Sequence, residues 1–309
     1  MPGPHSAQLL RGFHRSPAGG LHLPHDLERA AVAAQLLLGI TRQALLGGSR
    51  LNVEASPCGL ELQPGADLAH RYAARCAYGP ALLLDAGVND GPRDRMVRVV
   101  AFAVAGLHLA AASYPHLPWV VWAAGAAKHA MVLPDDTRVR VDVGFGGPAA
   151  AGVGLGGTAE IAGVRRAQFE VCPGRAGADY RIVGTDEVAC HAELPGSFRF
   201  VDRGVTAVEF AASGASVRFT TPDLQVRASG WTLGLGSVLQ WHGASHFLDA
   251  QGGVQCDLMF GVDGADSVTG TVRDSLGTEI GRIWGSWLGP LLCDGEVLWP
   301  GPRRQPAPL

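Results

Sequence analysis

The sequence predicts an α+β protein that is mostly β: a large incomplete antiparallel β-barrel whose N-terminal helices form a plug and a lid. Helical periodicity dominates the first part of the chain, and strand patterns dominate from about residue 161 onward. Short turns rich in Gly and Asp separate those strands, as in barrels and sandwiches. Glycines inside predicted strands, such as Gly236 and Gly270, suit a strongly curved sheet.

Composition and cysteine usage limit the class of protein. Hydrophobic residues make up 47% of the 309 residues and charged residues only 17%, as expected of a globular chain. A net charge of −3 argues against a nucleic-acid partner. The six cysteines are dispersed without zinc spacing, and the N-terminus has no signal-peptide pattern. We therefore expect a cytoplasmic protein with free, mostly buried thiols.

The chain is predicted to form one domain, with a flexible segment at each end. The predicted divisions are a loose leader over 1–26, a lipid-binding-type domain over 27–302 and a tail over 303–309. Inside the domain we expect helices over 27–133, a Gly-rich insertion over about 134–160 and antiparallel sheet over 161–300.

Helix and strand signals in the first part of the chain are local. Asp26 can cap a helix over Leu27–Leu46, and alternation predicts an extended segment over Leu51–Leu62. A second helix is predicted to start at Ala66. The turn at Asn89-Asp90-Gly91-Pro92 then starts a third helix, which is strongly apolar.

The apolar stretch that begins with this third helix is predicted to be a buried core helix followed by a second apolar segment. Pro115 and Pro118 interrupt it before it reaches the length of a membrane span. A membrane-dipping hairpin is the alternative. The Gly-rich stretch Val139–Gly157 contains a G-x-G-x-x-G pattern without a strand–turn–helix context, so we expect a flexible loop and no dinucleotide site.

The densest cluster of chemically capable side chains lies in Tyr180–Phe200, which is predicted to form strand, turn and strand. Glu187, Cys190 and His191 are expected in the turn. Adjacent residues of an extended segment point to opposite faces, so Cys190 and His191 do not form a nucleophile–base pair by adjacency. No catalytic motif, cofactor motif or metal-ligand spacing is found, and we predict a protein that is not an enzyme.

Arg165 and Arg166 form a cationic pair. Two guanidinium groups near a pocket mouth would suit a phosphate or carboxylate headgroup. A plain charged turn is the alternative interpretation.

A series of weak motifs resembles the lipid-binding domain of the oxysterol-binding-protein family, in the family's order and over roughly residues 30–302. The segments that carry the resemblance are Leu51–Leu68, Arg95–Gly106 (RMVRVVAFAVAG), Gly163–Val171, Asp186–His191, Gly285–Trp287 and Leu298–Pro302. Asp186–His191 takes the place of the family's E-Q-V-S-H-H-P-P fingerprint. Only the second histidine of that fingerprint is kept, as His191, and Cys190 replaces the first.

The resemblance implies a carrier of a sterol or phospholipid that touches membrane surfaces transiently, at membrane contact sites. The departures from the fingerprint weaken the expectation of phosphoinositide exchange more than that of an apolar tunnel. The implied headgroup site at the pocket mouth consists of His191, Cys190, Glu187, Arg165 and Arg166. The implied lid residues are Leu51, Val53, Leu60 and Leu62. No cofactor or metal is expected.

Two other functions stay open at this point. One is a lipocalin-like β-barrel enzyme that uses His191 with Glu187 or Glu193 as acid and base on an apolar substrate. The other is a degenerate scaffold that no longer binds a ligand.

Overall fold

A computed structural model describes the larger part of the chain. It covers residues 14–22, 72–84, 86, 91–113, 127–133, 136–153, 158–174, 178–193, 197–227 and 238–302. For residues 112–113, 127, 143–153, 158–165, 189–193 and 197–198 the description is limited to the backbone and its pairing. The predicted helix Leu27–Leu46 and extended segment Leu51–Leu62 lie outside these ranges.

The described residues contain few helices and many strands. Residues 72–75 are helical, and the two further helices are α1 (Gly79–Leu82) and α2 (Pro92–Ser113). The strands, in chain order, are β1 His14–Arg15, β2 Leu21–His22, β3 Ala127–Val132, β4 Arg138–Val153, β5 Thr158–Cys172, β6 Tyr180–Glu193, β7 Ser197–Asp202, β8 Val205–Phe210, β9 Ser216–Thr220, β10 Asp223–Arg227, β11 Val238–Asp249, β12 Val254–Phe260, β13 Ser267–Arg273, β14 Glu279–Ser286, β15 Leu291–Cys293 and β16 Glu296–Trp299.

Strands β3 to β16 form one antiparallel sheet that follows the order of the chain. Strands β7 and β8 act as one long strand with a break at Arg203-Gly204, since both pair with the same edge of β6. Strands β9 and β10 are likewise one strand broken at Thr221-Pro222, and both pair with β11. The sheet ends at β3 and β16, so its ring of strands is open. The prediction of an incomplete antiparallel barrel is confirmed.

Helix α2 is buried around its whole circumference beyond its first two turns. Val99, Val100, Ala101 and Phe102 are consecutive and all buried, and at 100° per residue four consecutive residues cover every side of a helix, whereas Asp94 and Arg98 in the first turns are exposed. The helix packs against β11, β12 and β16. The predicted buried core helix is confirmed. Neither α2 nor any other helix in the described part of the chain combines the length and hydrophobicity of a membrane-spanning segment.

Buried polar contacts fix both ends of α2. Near its N-terminus, Arg95 Nε donates to Asp249 Oδ2 at 3.0 Å, and the same carboxylate accepts the Gly252 N–H at 2.7 Å. Near its C-terminus, Trp241 Nε1 donates to the Leu107 carbonyl at 3.2 Å. Since Asp249 and Trp241 both belong to β11, these contacts set the position of the helix along that strand.

The hairpin turn after β13 contains the Asp and Gly residues that the sequence predicts between strands. The turn after β13 is held by Asp274 Oδ1, which accepts the N–H groups of Leu276 and Thr278 at 2.9 Å each. Gly277 has φ of +82°, a value that glycine adopts at low cost. Strands β12 and β13 lie within the span 161–300 for which the sequence predicts antiparallel sheet.

The Gly-rich segment is not a flexible loop, which corrects the prediction. Strand β4 covers most of it and pairs with β5, and β3 occupies residues that were predicted to be helical. The alternation of Ala and Gly gives no hydrophobic period, so local pattern could not identify these strands. Pairing with β5 supplies the backbone hydrogen bonds, and buried Val139 and Val141 anchor one end of β4.

The Tyr180–Phe200 stretch also differs from the prediction. Strand β6 continues through Glu193, so Glu187, Cys190 and His191 lie on a strand and not in a turn. Gly184 does not break the strand; it makes room for the Phe169 ring, whose Cζ would lie 2.6 Å from an added Cβ atom. Strand β7 begins at Ser197, and residues 194–196 between the two strands lie outside the described ranges.

The predicted loose leader contains an ordered hairpin. Strand β2 pairs with the start of β11, and Leu21 is buried against the core. Arg15 Nη2 lies 2.7 Å from Asp266 Oδ2. Two-residue strands are too short to produce a hydrophobic alternation, which is why the sequence pattern did not reveal them.

A close backbone contact makes Gly106 of α2 a test of the helix packing. An added Cβ atom would lie 2.2 Å from the Arg75 carbonyl oxygen, which cannot move without shifting the helical turn 72–75. We expect Gly106→Ala to lower the free energy of unfolding by about 1–3 kcal/mol, despite the better helix propensity of alanine. Urea unfolding monitored by circular dichroism measures this. Gly289→Ala is the control, since its Cβ would make an ordinary 3.5 Å contact; equal effects would contradict the assigned packing.

Candidate functional site

The residues predicted for the pocket mouth lie on the neighbouring strands β5 and β6. Arg166 and Glu187 are directly opposite each other, and Arg166 Nε lies 3.2 Å from Glu187 Oε2 in an exposed ion pair. Arg165 is opposite Val188. His191 is opposite Glu160 on β5 and Arg199 on β7. His191 lies four residues beyond Glu187 along β6, a separation of roughly 13 Å.

The predicted mouth is therefore an extended row and not a compact cluster. Cys190 is opposite the buried Phe200, whereas His191 is opposite the exposed Arg199. Since successive strand positions alternate between faces, these two register positions belong to opposite faces of the sheet. The predicted lid residues Leu51, Val53, Leu60 and Leu62 lie outside the described ranges.

A buried polar cluster inside the sheet was not identified from the sequence. Tyr72 Oη donates to Asp186 Oδ2 at 2.6 Å, and Arg75 Nη1 lies 3.6 Å from Asp186 Oδ1. Arg75 Nη2 donates to Thr206 Oγ1 at 3.3 Å and also to Thr221 Oγ1. The side chains of Arg75 and Asp186 are only 7% and 1% exposed, so this ion pair is shielded from solvent.

The cluster lies at an interruption in the sheet hydrogen bonds, which we call the ladder gap. It consists of residues 186–187 of β6, 203–204, 221–222 and 243–246 of β11, where β6 and β11 change pairing partners. Pro222 lacks an N–H donor, which favours such a break. The backbone segments at Gly204 and Thr185 approach each other closely: a Cβ atom added at Gly204 would lie 1.9 Å from the Thr185 carbonyl oxygen.

One backbone bond crosses the ladder gap, from the Arg203 N–H to the Glu187 carbonyl at 2.9 Å, and polar side chains replace others. Asp202 Oδ1 accepts the N–H groups of Glu187 and Gly204 at 3.3 and 2.9 Å. Thr220 Oγ1 accepts the His246 N–H at 3.0 Å. The gap is therefore built from specific polar contacts.

A small cavity adjoins Arg75 between α2 and the sheet. Its polar side is formed by Arg75, Thr220, Thr221 and Ser245, and its apolar side includes Leu107, Phe219, Phe247 and Phe260. The cavity has room for about one water molecule. A second cavity, near Cys76 and Tyr180, has room for a few. Neither is large enough for a whole lipid.

The buried titratable groups are arranged for packing rather than for acid–base chemistry. His108 of α2 stacks on Trp299 at 5.7 Å, and its Nε2 is 3.3 Å from Tyr78 Oη. Burial lowers the pKa of His108 to about 4, against a smaller opposing effect of the Ala105 backbone. Burial raises the pKa of the Cys76 thiol to about 12 and that of Cys293 to about 11, so both thiols are protonated and unreactive at neutral pH.

Comparisons with known proteins find similarity at the level of structure. No protein-family model matches the sequence, and no curated protein matches it. The structure has the fold of the oxysterol-binding-protein-related domain, abbreviated ORD. At the low sequence identities found, this similarity defines the fold alone.

Three of the similar solved structures are ORD domains in complex with a lipid. The Osh1 ORD domain in complex with cholesterol is similar with a TM-score of 0.56 and 14% identity, over 90% of this chain and 73% of the Osh1 chain. The Osh3 ORD of Saccharomyces cerevisiae in complex with PI(4)P has a TM-score of 0.55 and 11% identity, over 84% of this chain and 64% of the Osh3 chain. The Osh1 ORD with ergosterol has a TM-score of 0.51 and 14% identity, over 85% and 64% of the two chains.

The lowered pKa of His108 makes stability depend on pH. Between pH 6.5 and about 4 the unfolded chain binds a proton that the folded chain excludes, so stability is lost as pH falls through this window. A pKa difference of this size corresponds to about 3 kcal/mol.

We expect His108→Gln to remove most of that pH dependence. Urea unfolding at pH 7.0 and 4.5 measures it, with His129→Gln on β3 as the control. A wild-type-like loss of stability in His108→Gln would show that another group is responsible.

Proposed function

We propose that the chain binds a sterol or other lipid in the interior of its incomplete barrel, without catalysing a reaction. The observation that carries this proposal is the ORD-like fold: a curved antiparallel sheet around an apolar helix. Burying a few hundred Å² of lipid surface contributes several kcal/mol at roughly 25 cal/mol per Å². The segment with Leu51, Val53, Leu60 and Leu62 is proposed as the lid that excludes water from the bound lipid.

Headgroup contacts are proposed for Arg165, Arg166, Glu187, Cys190 and His191 on β5 and β6, of which those on the same face as the exposed Arg166–Glu187 pair bind the headgroup directly. The Arg166–Glu187 pair is exposed on both sides, with side-chain exposures of 66% and 36%. Exposed pairs of this kind contribute about 1 kcal/mol or less. Arg166 can therefore exchange Glu187 for an anionic headgroup at little cost. We also propose that the protein contacts anionic membranes transiently and transfers the lipid between them.

Native mass spectrometry tests the binding proposal directly. The purified protein is incubated with a panel of cholesterol, phosphatidylinositol 4-phosphate, phosphatidylserine and phosphatidylcholine. We expect one stoichiometric adduct with a single lipid class, because an enclosed site accepts one molecule and selects by shape. The absence of an adduct with every lipid of the panel would reject lipid binding and favour a scaffold.

Membrane contact is tested by charge reversal at the proposed mouth. We expect the double variant Arg165→Glu/Arg166→Glu to bind vesicles of phosphatidylcholine with 30% phosphatidylserine at least tenfold more weakly, since two positive charges become negative near an anionic surface and the net charge falls by four units. Its lipid adduct should persist. The matched control is Arg138→Glu/Arg140→Glu, which makes the same change at exposed positions of β4. Equal losses in both variants would mean that net charge, and not this row, determines membrane contact.

A further inference from the structure

The ordered hairpin near the N-terminus brings two histidines together. His14 of β1 and His22 of β2 lie directly opposite each other, and their imidazole rings stack with centroids 4.4 Å apart. This part of the chain is rich in histidine, since four of the eleven histidines lie in the first 25 residues. Short histidine-rich segments are typical of metal binding, because imidazole is the commonest metal ligand in proteins.

The turn of the hairpin fixes the distance between the two strands. The Ser16 N–H donates to the Gly20 carbonyl, and the Gly19 N–H donates to the Ser16 carbonyl, at 2.9 Å each. Gly19 and Gly20 have φ of +85° and +82°, values that glycine adopts at low cost. The backbone positions of both histidines are therefore set before any ligand binds, which lowers the entropic cost of binding.

The other face of the hairpin is attached to the body of the protein. Arg15 and Leu21 are opposite each other in the register; Arg15 forms the ion pair with Asp266, and Leu21 belongs to the core. Since successive strand positions alternate between faces, His14 and His22 belong to the face that points away from the core. His14 is exposed, so a dissolved ion can reach the pair.

The ring of His22 is in the state that a metal ion requires. Its Nδ1 atom is shielded from solvent and has no hydrogen-bond partner among the described residues. Burial, and to a lesser extent the neighbouring His14, lower the pKa of His22. The ring is therefore mostly neutral at pH 7, and a neutral imidazole offers a nitrogen lone pair to a metal.

The separation of the rings allows both to contact one ion. Zinc–nitrogen bonds are roughly 2.0–2.1 Å long, so two nitrogens that share an ion lie within roughly 4 Å of each other. From a ring separation of 4.4 Å, a tilt of the exposed His14 ring is enough to make the lone pairs converge. No group of three potential ligands occurs in the described part of the chain, so water completes the coordination.

We propose that His14 and His22 together bind a divalent transition-metal ion, Zn²⁺ or one of similar ligand preference, and that the ion links β1 to β2. Imidazole ligands suit such ions, whereas Mg²⁺ and Ca²⁺ prefer oxygen. The two histidines are eight positions apart and match no metal motif, so only the strand pairing reveals them. An ion that binds only the folded hairpin stabilises it against β11, whether or not the barrel holds a lipid.

Zinc affinity is measured on the full chain, purified without a histidine tag, by competition with a chromophoric chelator. We expect His14→Gln and His22→Gln each to weaken the tightest zinc site at least tenfold. The double variant should lose little more than either single variant, because both imidazoles hold the same ion. His246→Gln is the matched control: it removes an exposed histidine of β11 that pairs with Asp257, and it should bind zinc as the wild-type protein does.

Amide hydrogen exchange tests whether the ion links the two strands. We expect one equivalent of Zn²⁺ to slow exchange at least fivefold in the peptide that spans β1 and β2 of the wild-type protein, and to have no such effect in His14→Gln. The same concentration of Mg²⁺ should leave exchange unchanged.

Three outcomes would overturn the inference. Wild-type zinc affinity in His14→Gln and His22→Gln would show that the pair is not the site. An equal loss in His246→Gln would show adventitious binding by surface histidines. Zinc binding at the pair without slower exchange in the hairpin would show that the ion does not link the strands. The lipid panel described above is independent of all three, since none of these measurements uses a lipid.

Discussion

The rest of the fold depends on the need to enclose α2. A helix with one apolar stripe can lie on the surface of a sheet, but α2 buries residues around its whole circumference. The sheet must therefore curve around the helix, and a long antiparallel meander does this with short connections. Arg95 of α2 donates to Asp249 of β11, and Trp241 of β11 donates to the Leu107 carbonyl of α2. These two contacts fix where the helix lies within the curved sheet.

Elements with local signals could be predicted from the sequence. Helix α2 and strands β12 and β13 were found because Pro92 starts the helix and polar turn residues bound the strands. Strands β3 and β4 were missed because their stability comes from pairing with a distant partner. Ala and Gly residues along β4 give the same weak pattern in a loop and in a strand, and only the neighbouring β5 distinguishes the two.

The candidate site, like the fold, could be predicted only where neighbouring residues of the sequence carry the signal. The sequence identified Tyr180–Phe200 as the segment that carries the candidate residues but placed them in a turn; only the register of β6 with β5 places Glu187 beside Arg166. The buried cluster could not be predicted, because its hydrogen-bonded partners are separated by 114 to 146 residues. In the sequence, Asp186 had the pattern of a turn residue. Its partner Tyr72 belongs to a helix whose position relative to β6 only the folded chain defines.

The buried Arg75–Asp186 pair calls for an explanation beyond stability. Apolar residues of similar volume often stabilise a protein as well as a buried ion pair or better, because the pair does not recover its full cost of desolvation. This pair also coincides with an interruption of the sheet, where side chains must replace backbone bonds. Both costs fall beside a cavity whose wall combines a guanidinium, hydroxyl groups and aromatic rings. The pair therefore contributes less to the free energy of unfolding than to fixing one arrangement of the helical turn 72–75 against β6 and the ladder gap.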